Sequence, residues 1–493
     1  MKMIYGVKDR PKAGQLILFA LQQLLAILAA TIAVPMIVGN GMSISAALFG
    51  AGVGTIVYLL FTKFKSPVFL GSSFAFLGSM SAAFAGGVSA SLGYLGLIIG
   101  AVMAGLVYVI IAVIVKFAGV KWINKIMPAV VIGPTVAIIG LSLAGNAVGD
   151  LTKGNVTEQI TEWVVKFNEN GSPYLGEQVT SQMVCSPYAA LACGIVTLAV
   201  TIVCSVYGKK LMKMIPFIIG ILSGYILAAA FTGIGYAAKC DALKIINFEL
   251  FKNMQWYPDF AFLQLFKGEM AVKGGSIGAY IGSVAVAYIP VAFVVFAEHI
   301  ADHKNISSII EHDLLSDPGL TRTLLGDGVG SMAGAFFGGC PNTTYGESVG
   351  CVAISGNASV ITILVTAGFA ILFSFVAPFV TFLATIPSCV MGGVCVALYG
   401  FIAVSGLKMI QDVDLGENKN LFVVSVILIT GVGGLVLTFG KVTVTAVACS
   451  LILGILTNVL VNIRRKKNSD GEQLTIDGLK ATSDAEKENT EEK

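Results

Sequence analysis

Charge is what this chain has least of. Only 12% of its 493 residues are charged, 56% are hydrophobic, and the formal net charge is +3. A soluble domain carries about 25% charged residues, so this composition excludes a soluble enzyme and a disordered chain. The small net charge gives no support to nucleic-acid binding. The composition is typical of a protein whose main partner is the lipid bilayer.

Paired cysteine motifs are also missing. The nine cysteines include no Cys-x-x-Cys pair, so the sequence indicates neither a zinc site nor a redox motif, and we expect no metal and no organic cofactor. Most of them lie in apolar runs and resemble small core residues. Cys185 and Cys240 lie in or beside two polar segments that fall on one side of the membrane. A disulfide between them is therefore one hypothesis.

Apolar runs recur from about residue 15 to residue 463. At about 20 residues per span, they predict an all-α polytopic membrane protein with about fourteen transmembrane segments. The predicted divisions are a cytoplasmic N-terminus at 1–14, a first seven-segment repeat at 15–236, an extracytoplasmic loop at 237–276, a second, inverted seven-segment repeat at 277–463 and a disordered cytoplasmic tail at 464–493.

Basic residues support this count. With a cytoplasmic N-terminus, the short inner connections hold most of the lysines, and the C-terminal tail opens with an Arg-Arg-Lys-Lys run. The inner lysines include Lys63, Lys65, Lys121, Lys125, Lys209 and Lys213. This positive-inside pattern predicts a multi-pass protein of the cell membrane with both termini in the cytoplasm.

An internal repeat indicates the class of membrane protein. A Pro-x4-Gly pattern at Pro128–Gly133 recurs at Pro387–Gly392, about seven predicted spans later. An odd number of spans per repeat inverts the second copy relative to the first. Inverted repeats of this kind are typical of secondary transporters, which bind substrate near the membrane midplane between broken helices.

Acidic residues are almost absent from the apolar spans. The exceptions are Glu298, Asp302, Asp327 and Glu347. A charge in the bilayer interior costs at least about 2.5–3.5 kcal/mol, so each acid needs a partner or a function. Asp327 follows Arg322 and is expected to be a paired or capping residue. Glu298 and Glu347 have no basic residue in their spans and are predicted to bind substrate.

All three histidines lie close to Glu298, and two interpretations of this cluster remain open. In the first, Glu298 binds substrate, and Asp302 and His303 form a proton relay or gate. In the second, His299 and His303 bind zinc in an intramembrane metal-dependent hydrolase. The second interpretation lacks an evident third ligand, and a hydrogen-bonded packing role is favoured for His299.

Two segments rich in Gly, Ser and Thr are expected to break their helices. They are the third segment, around Gly71–Phe76, and the tenth, Cys340–Ser348. Such backbone persists in a membrane only where it is buried in protein or lines a cavity. Facing helix N-termini, carboxylates and the rings of Phe74, Phe76 and Tyr345 favour a small planar heterocycle with N–H and C=O groups. Burial favours the neutral form of a carboxyl group, which could couple substrate to H⁺.

The sequence PNTTYGESVG at 341–350, FAEHIADH at 296–303 and GSSFAF at 71–76 identify a resemblance. The chain resembles the nucleobase–ascorbate transporter family, also called nucleobase:cation symporter-2, and within it the bacterial uracil permeases. The likeness extends over about 8–463 and includes VKDRP near the N-terminus. The resemblance implies secondary active import of uracil by proton symport, with xanthine or another purine as the alternative substrate.

The resemblance also implies a fold and a set of site residues. A core domain of segments 1–4 and 8–11, with short strands in segments 3 and 10, would hold the site, and the other segments would form a gate domain that permits a homodimer. Glu298 and Glu347 would bind the pyrimidine. The further residues implied are Phe74 and Gly346 for backbone contacts, and Tyr345 and Ala30 in the pocket wall. Asp302 stands where some uracil permeases carry histidine, which leaves the purine alternative open.

Overall fold

A computed structural model describes residues 3–119, 128–167, 173–209, 211–272, 276–411, 413–439, 442–468 and 471–476. Lys121 and Lys125 of the predicted inner connections lie outside the described residues. The same is true of residues 477–493 of the predicted tail.

Helices dominate both halves of the chain. In the first half the α-helices are α1 (Ala13–Val38), α2 (Ile44–Phe61), α3 (Leu77–Ala83), α4 (Ala90–Ala118), α5 (Ala129–Ser142), α6 (Ala144–Asp150), α7 (Pro187–Tyr207), α8 (Leu211–Met214) and α9 (Pro216–Ala237). In the second half they are α10 (Ala261–Gln264), α11 (Ile277–Ile310), α12 (Leu320–Gly338), α13 (Gly346–Ser355), α14 (Val360–Phe373), α15 (Ala377–Thr385), α16 (Ser388–Met409), α17 (Asn418–Val432) and α18 (Ala446–Val461). Short 3-10 helices cover Phe74–Phe76, Asp241–Leu243 and Phe248–Asn253, and a π-helical turn covers Leu315–Gly319.

Several long helices begin where the sequence supplies a capping hydroxyl. Ser43, Ser89, Ser276 and Thr445 each stand immediately before a helix, and each side-chain oxygen accepts a hydrogen bond from the backbone N–H three residues later. The hydroxyl satisfies one of the N–H groups that a helix leaves free at its start. These caps place the helix starts of α2, α4, α11 and α18.

Eight helices within the described residues are long and apolar enough to cross a membrane, and a ninth span results if α14 and α15 are one span bent by 85°. The chain is therefore a helical polytopic membrane protein. The predicted number of fourteen is larger because several segments are short or broken. The third segment, for example, is divided between a strand, a 3-10 turn and the seven-residue helix α3.

Strands are more frequent than the sequence analysis predicts. The two expected short strands are present as β1 (Leu70–Ser72) and β4 (Asn342–Thr344). Three further antiparallel hairpins pair β2 (Thr157–Phe167) with β3 (Pro173–Met183), β5 (Leu437–Phe439) with β6 (Val442–Val444), and β7 (Ile463–Asn468) with β8 (Gly471–Ile476). Residues 464–468 of β7 and the whole of β8 fall within 464–493, the segment predicted to be a disordered cytoplasmic tail, and that description of the tail remains a prediction. The strands β2 and β3 lie outside the long apolar runs, so the apolar-span pattern cannot detect them.

Close packing of α2 against α12 forms the centre of the fold. A Cβ atom added to Gly50 would lie 2.4 Å from the backbone oxygen of Gly334, and one added to Gly54 would lie 2.7 Å from that of Gly330. The helices therefore approach nearly backbone to backbone, as small residues permit in membrane proteins. The two broken segments lie against this pair of helices.

The helices pack in two groups. In the first, α2 contacts α12 and α14, and α4 contacts α11 and α12. In the second, α5 contacts α16, α17 and α18, and α7 contacts α9 and α16. The division into inverted repeats and the predicted domain boundaries remain predictions.

The N-terminal segment lies along the link between α13 and α14. The backbone N–H groups of Ile4 and Tyr5 donate to the oxygen of Gly356 at 2.7 and 3.2 Å. In return, the N–H of Val360 donates to Val7, and the hydroxyl of Ser359 donates to the backbone oxygen of Asp9 at 2.6 Å. The segment that includes VKDRP thus holds the far end of the short helix α13.

Candidate functional site

The two broken segments meet through their strands. Strands β1 and β4 are antiparallel, with Leu70 opposite Thr344 and Ser72 opposite Asn342. A 3-10 turn begins at Phe74, with one residue between it and the end of β1, and α13 begins at Gly346, with one residue between it and the end of β4. The first N–H groups of a helix have no partner within it. The strand pair therefore brings two helix N-termini, with their unpaired donors, to one place.

A cavity of about 330 Å³ lies at these helix starts. It reaches from the buried strand β4 to Asn305 and Lys213, both of which are exposed. The cavity therefore opens at the end of the molecule where the connection between α7 and α9 lies. The residues that line the cavity include Phe74, Lys213, Glu298, Asp302, Asn305, Thr344, Tyr345, Gly346 and Glu347.

Three carboxyl groups face this cavity. Glu298 and Asp302 lie one turn apart on α11, and Glu347 lies in the first turn of α13. Among the described residues, none of the three forms an ion pair with lysine, arginine or histidine. The Oδ2 atom of Asp302 accepts a hydrogen bond of 2.7 Å from the hydroxyl of Thr344. Asp302 therefore ties α11 to β4, whereas the two glutamates are available to a ligand.

Aromatic side chains border the same space. The ring of Phe74 meets that of Tyr399 edge to face, with centroids 5.5 Å apart. The hydroxyl of Tyr345 donates to the backbone oxygen of Ser72 at 2.8 Å. The Tyr345 ring lies directly over Gly71, where an added Cβ would be 2.2 Å from the ring. Gly71 is therefore the residue that leaves room for this ring.

A second set of hydrogen bonds holds the start of α13. The side-chain amide of Gln23 donates to the hydroxyl of Ser348, and this hydroxyl also accepts the N–H of Phe69 at 3.1 Å. Ser348 follows Glu347 directly, so these bonds limit the positions that the Glu347 backbone can adopt. The Gln22-Gln23 pair in the first segment thus has a structural role through Gln23.

The opposite face of α11 carries the histidines. His299 and His303 are fully buried and stack with ring centroids 4.0 Å apart. The Nδ1 atom of His299 lies 2.7 Å from Oδ2 of Asp327, and its Nε2 atom lies 3.0 Å from the hydroxyl of Thr323. The Nε2 atom of His303 lies 2.6 Å from the hydroxyl of Tyr58. These hydrogen bonds show His299 as a packing residue, as the sequence analysis favours.

The structure brings together most of the residues predicted from the sequence. Glu298, Glu347, Asp302, Phe74, Tyr345 and Gly346 line the cavity. Three predicted positions lie elsewhere. Ala30 is fully buried within α1, His303 lies on the far face of α11, and Phe76 stacks on Tyr288 with centroids 5.5 Å apart. The contacts do not test the predicted binding and coupling roles, which remain predictions.

Two cavity residues, Lys213 and Thr344, and one buried residue beside the cavity, Ser348, are not singled out by the sequence patterns. Lys213 was counted only among the inner basic residues, yet it lines the cavity with three acids. Thr344 and Ser348 stand inside the motif PNTTYGESVG, and their hydrogen bonds hold Asp302 and Gln23. The motif contains both hydroxyl residues. It does not show their hydrogen-bond partners, because Asp302 and Gln23 belong to other helices.

Metal and disulfide chemistry find no support in the described part of the chain. No group of three or more His, Cys, Asp or Glu side chains there could hold a metal ion, and the ring nitrogens of His299 and His303 are already hydrogen-bonded. Cys185 and Cys240 are both free thiols, so the predicted disulfide between them is not formed. Asp327 of α12 pairs with His299 of α11 instead of the expected Arg322.

Comparison with known proteins identifies the family. The sequence profile of the permease family matches residues 14–439. The chain belongs to this family. It is a membrane transporter and not an enzyme, so the hydrolase interpretation of the histidines is set aside. The resemblance to the nucleobase:cation symporter-2 family that the motifs indicate is confirmed.

The relatives of this permease are similar over nearly their whole length. The uracil permease of Bacillus caldolyticus is 38% identical, over 93% of this chain and 95% of the relative. The uracil permease of Bacillus subtilis (strain 168) is 35% identical, over 95% of this chain and 98% of the relative. That of Escherichia coli (strain K12) is 34% identical, over 91% and 92%.

Solved structures share the fold at low sequence identity. The transmembrane domain of the cyanobacterial bicarbonate transporter BicA matches with a TM-score of 0.57 at 14% identity, over 92% of this chain and 99% of that one. SLC26A9 matches with a TM-score of 0.60 at 12% identity, over 94% of this chain and 70% of that one. These matches show the architecture of the permease and carry no information on its substrate.

Proposed function

We propose that this permease imports uracil across the cell membrane by proton symport, with the cavity between β4, α11 and α13 as its binding site. The observation that carries the proposal is the pair of glutamates, Glu298 and Glu347, that face one cavity beside two helix N-termini. The names of the relatives, uracil permeases at 34–38% identity, support the same substrate.

The donors and acceptors of uracil complement this site. Uracil is a flat ring with two N–H donors and two carbonyl acceptors. Carboxylates only accept hydrogen bonds, so Glu298 and Glu347 would each accept an N–H of the ring. The backbone N–H groups at the helix starts of Phe74 and Gly346 would donate to its carbonyl oxygens. Tyr345 would bound the ring on one side, whereas Ala30 would act from behind the cavity wall.

Proton coupling is assigned to Glu298 in this proposal. Glu298 faces the cavity and has no ion-pair partner among the described residues, so binding of substrate would change its surroundings. Asp302 is a weaker candidate because it accepts a hydrogen bond from Thr344. His303 would act only indirectly, since it lies on the other face of α11. H⁺ is the coupling ion, and no cofactor takes part.

Alternating access would be a movement between the two helix groups. In this scheme the group with α2, α4, α11 and α12 is the core and the group with α5, α7, α16 and α17 is the gate. The fourteen segments would form two inverted repeats, and the gate would also provide a homodimer contact. The lysine pattern puts both termini, and Lys213 at the cavity mouth, on the cytoplasmic side. The structure would then be the inward-facing state.

The test is uptake of labelled uracil into proteoliposomes, with and without an inward proton gradient. We expect gradient-driven uptake that excess unlabelled uracil blocks and excess xanthine does not. Block by xanthine would instead favour a purine or broad-range carrier, with Asp302 in the cavity as the distinguishing residue. No uptake under either condition would contradict uracil as the substrate.

A further inference from the structure

His299 and Asp327 form a pair that the proposed transport scheme does not use. His299 is fully buried, and Asp327 is almost fully buried, with its side chain 1% exposed. The two side chains lie 2.7 Å apart on the face of α11 that points away from the cavity. His299 follows Glu298 directly in the sequence. The pair therefore joins the helix that carries Glu298 to α12.

The hydroxyl of Thr323 has one hydrogen and two neighbours that could accept it. It lies within hydrogen-bond distance of the backbone oxygen of Leu320, at 3.1 Å, and of Nε2 of His299, at 3.0 Å. Both contacts are hydrogen bonds at once only when the hydroxyl donates to Leu320 and accepts a hydrogen from Nε2, because a hydroxyl has a single donor. This arrangement, in which Nε2 carries a hydrogen, is the one that satisfies all three groups.

The remaining contact then requires one more hydrogen. Between Nδ1 of His299 and Oδ2 of Asp327, a hydrogen lies either on the imidazole or on the carboxyl group. In the first case the pair is an imidazolium and a carboxylate. In the second it is a neutral imidazole and a carboxylic acid. Both cases give one proton more than a neutral histidine beside a carboxylate, and both give a net charge of zero.

Burial favours this neutral pair. Among the described residues the second oxygen of Asp327, Oδ1, has no hydrogen-bond partner. A buried net negative charge with an unpaired oxygen would be costly, whereas a pair with zero net charge is tolerated. The neighbouring titratable groups are Tyr108 of α4, Tyr58 of α2, and Glu298, Asp302 and His303 of α11 itself. None of them adds a positive charge that would stabilise a lone carboxylate at Asp327.

We propose that His299 and Asp327 permanently share one proton and act as a positioning pair, which holds the Glu298 turn of α11 against α12 without giving up that proton during transport. This inference rests on the proposed function for its transport readout. The two faces of α11 then have different roles. The proton that is transported with substrate binds on the cavity face, whereas the proton shared by His299 and Asp327 is retained.

The decisive variants are Asp327→Asn and Asp327→Leu. Asparagine can donate its amide N–H to Nδ1 of His299, so it keeps the hydrogen bond between the two side chains without an ionisable group. Leucine leaves Nδ1 unpaired in a buried place. We expect Asp327→Asn to keep gradient-driven uptake, with a KM for uracil within about threefold of the parent protein, and Asp327→Leu to raise KM at least about tenfold.

The pH profile distinguishes positioning from proton transport. We expect Asp327→Asn to have the pH profile of the parent protein. If it keeps uracil counterflow but loses gradient-driven accumulation, or if its pH profile shifts, Asp327 gives up its proton and the proposal is overturned. Equal behaviour of the asparagine and leucine variants would overturn it as well.

A melting measurement separates this proposal from the proposed function. In detergent and without substrate, Asp327→Leu and His299→Leu are expected to melt below Asp327→Asn, which is expected to melt close to the parent protein. Failure of the parent protein to take up uracil would contradict the proposed substrate, and the order of melting temperatures would still test the pair. If Asp327→Asn melts below the two leucine variants, the proposal of a positioning pair is overturned.

Discussion

The two faces of α11 use polar residues in opposite ways. On one face, Glu298 and Asp302 line the cavity, and among the described residues neither has a cationic partner. On the other, His299 and His303 are buried with both ring nitrogens of each hydrogen-bonded. Polar residues in a membrane are expensive on either face. The buried face offsets the cost with internal partners on every ring nitrogen, whereas on the cavity face Asp302 has one such partner, Thr344, and both acids line the cavity.

This contrast shows why an ionisable residue in a membrane helix is not by itself evidence of a binding site. Four titratable residues stand within six positions of the chain, yet only two of them reach the cavity. Substitutions on the cavity face and on the buried face are therefore expected to have different effects.

The largest effect is expected for Glu298→Gln. The change removes a carboxylate from the cavity and keeps the size of the side chain. In the proposed mechanism, uracil would lose a charged acceptor and the coupled proton would lose its site. We expect gradient-driven uracil uptake to fall at least about 100-fold. Glu311→Gln, the same change at the exposed end of α11, is the matched control and is expected to transport normally. Similar losses in both variants, or in neither, would contradict the assignment.

A smaller loss is expected for Gly71→Ala, which alters the cavity without touching a charge. The added Cβ would lie 2.2 Å from the Tyr345 ring, so the ring must move and its hydrogen bond to Ser72 must weaken. We expect about a tenfold rise in the KM for uracil, measured by uptake. Gly278→Ala is the control because no atom lies within 4 Å of its added Cβ. A normal KM for Gly71→Ala would show that Tyr345 does not bound the substrate.

On the buried face, His303→Leu is expected to affect stability more than transport. Tyr58 would lose its hydrogen bond to Nε2 but keep the one to Ser66, so the loss is that of one buried hydrogen bond, about 0.5–1.5 kcal/mol. We expect a lower melting temperature in detergent and a KM for uracil within about twofold of the parent protein. His303→Gln, which can accept the same hydrogen bond, should recover part of the stability. Loss of uptake at an unchanged melting temperature would instead support His303 as a proton relay.

The smallest effect concerns an exposed ion pair outside the membrane spans. The hydrogen bond from Lys65 to Asp317, at 2.5 Å, holds the pKa of that carboxyl below its ordinary value. A lowered pKa in the folded state contributes stability above the ordinary carboxyl pKa, and this contribution is lost as the pH falls through the folded value. Because both side chains are well exposed, Lys65→Met is expected to lower the melting temperature only slightly at neutral pH. The difference should vanish in acid, and a difference that grows in acid would contradict this sign.

Sequence patterns predicted much of this molecule, and the reasons are physical. Long apolar runs predict helices such as α1, α4 and α11. Because acids are scarce in the apolar spans, the sequence alone indicates Glu298 and Glu347 as candidate site residues. The Gly-Ser-Thr-rich runs predicted the breaks that became β1 and β4. These signals are local, so the sequence carries them directly.

What the sequence did not show depends on distant contacts. Asp327 was expected near Arg322 and instead meets His299, 28 residues away. Lys213 reaches the cavity only because the connection between α7 and α9 lies at its mouth. The β2–β3 hairpin was missed because it lies outside the apolar runs that guided the assignment. The missing disulfide between Cys185 and Cys240 likewise depends on positions that no spacing rule gives.

The pairing of β1 with β4 has a consequence for how the protein is made. Phe69 and Ser348, which join the two broken segments, are 279 residues apart. A ribosome produces β1 long before β4 exists, and a bilayer interior does not tolerate its unpaired backbone groups. The backbone groups of β1 can therefore be paired as in the structure only after β4 has been made. The proposed binding site depends on this pairing, so no fragment that ends before residue 342 can contain it.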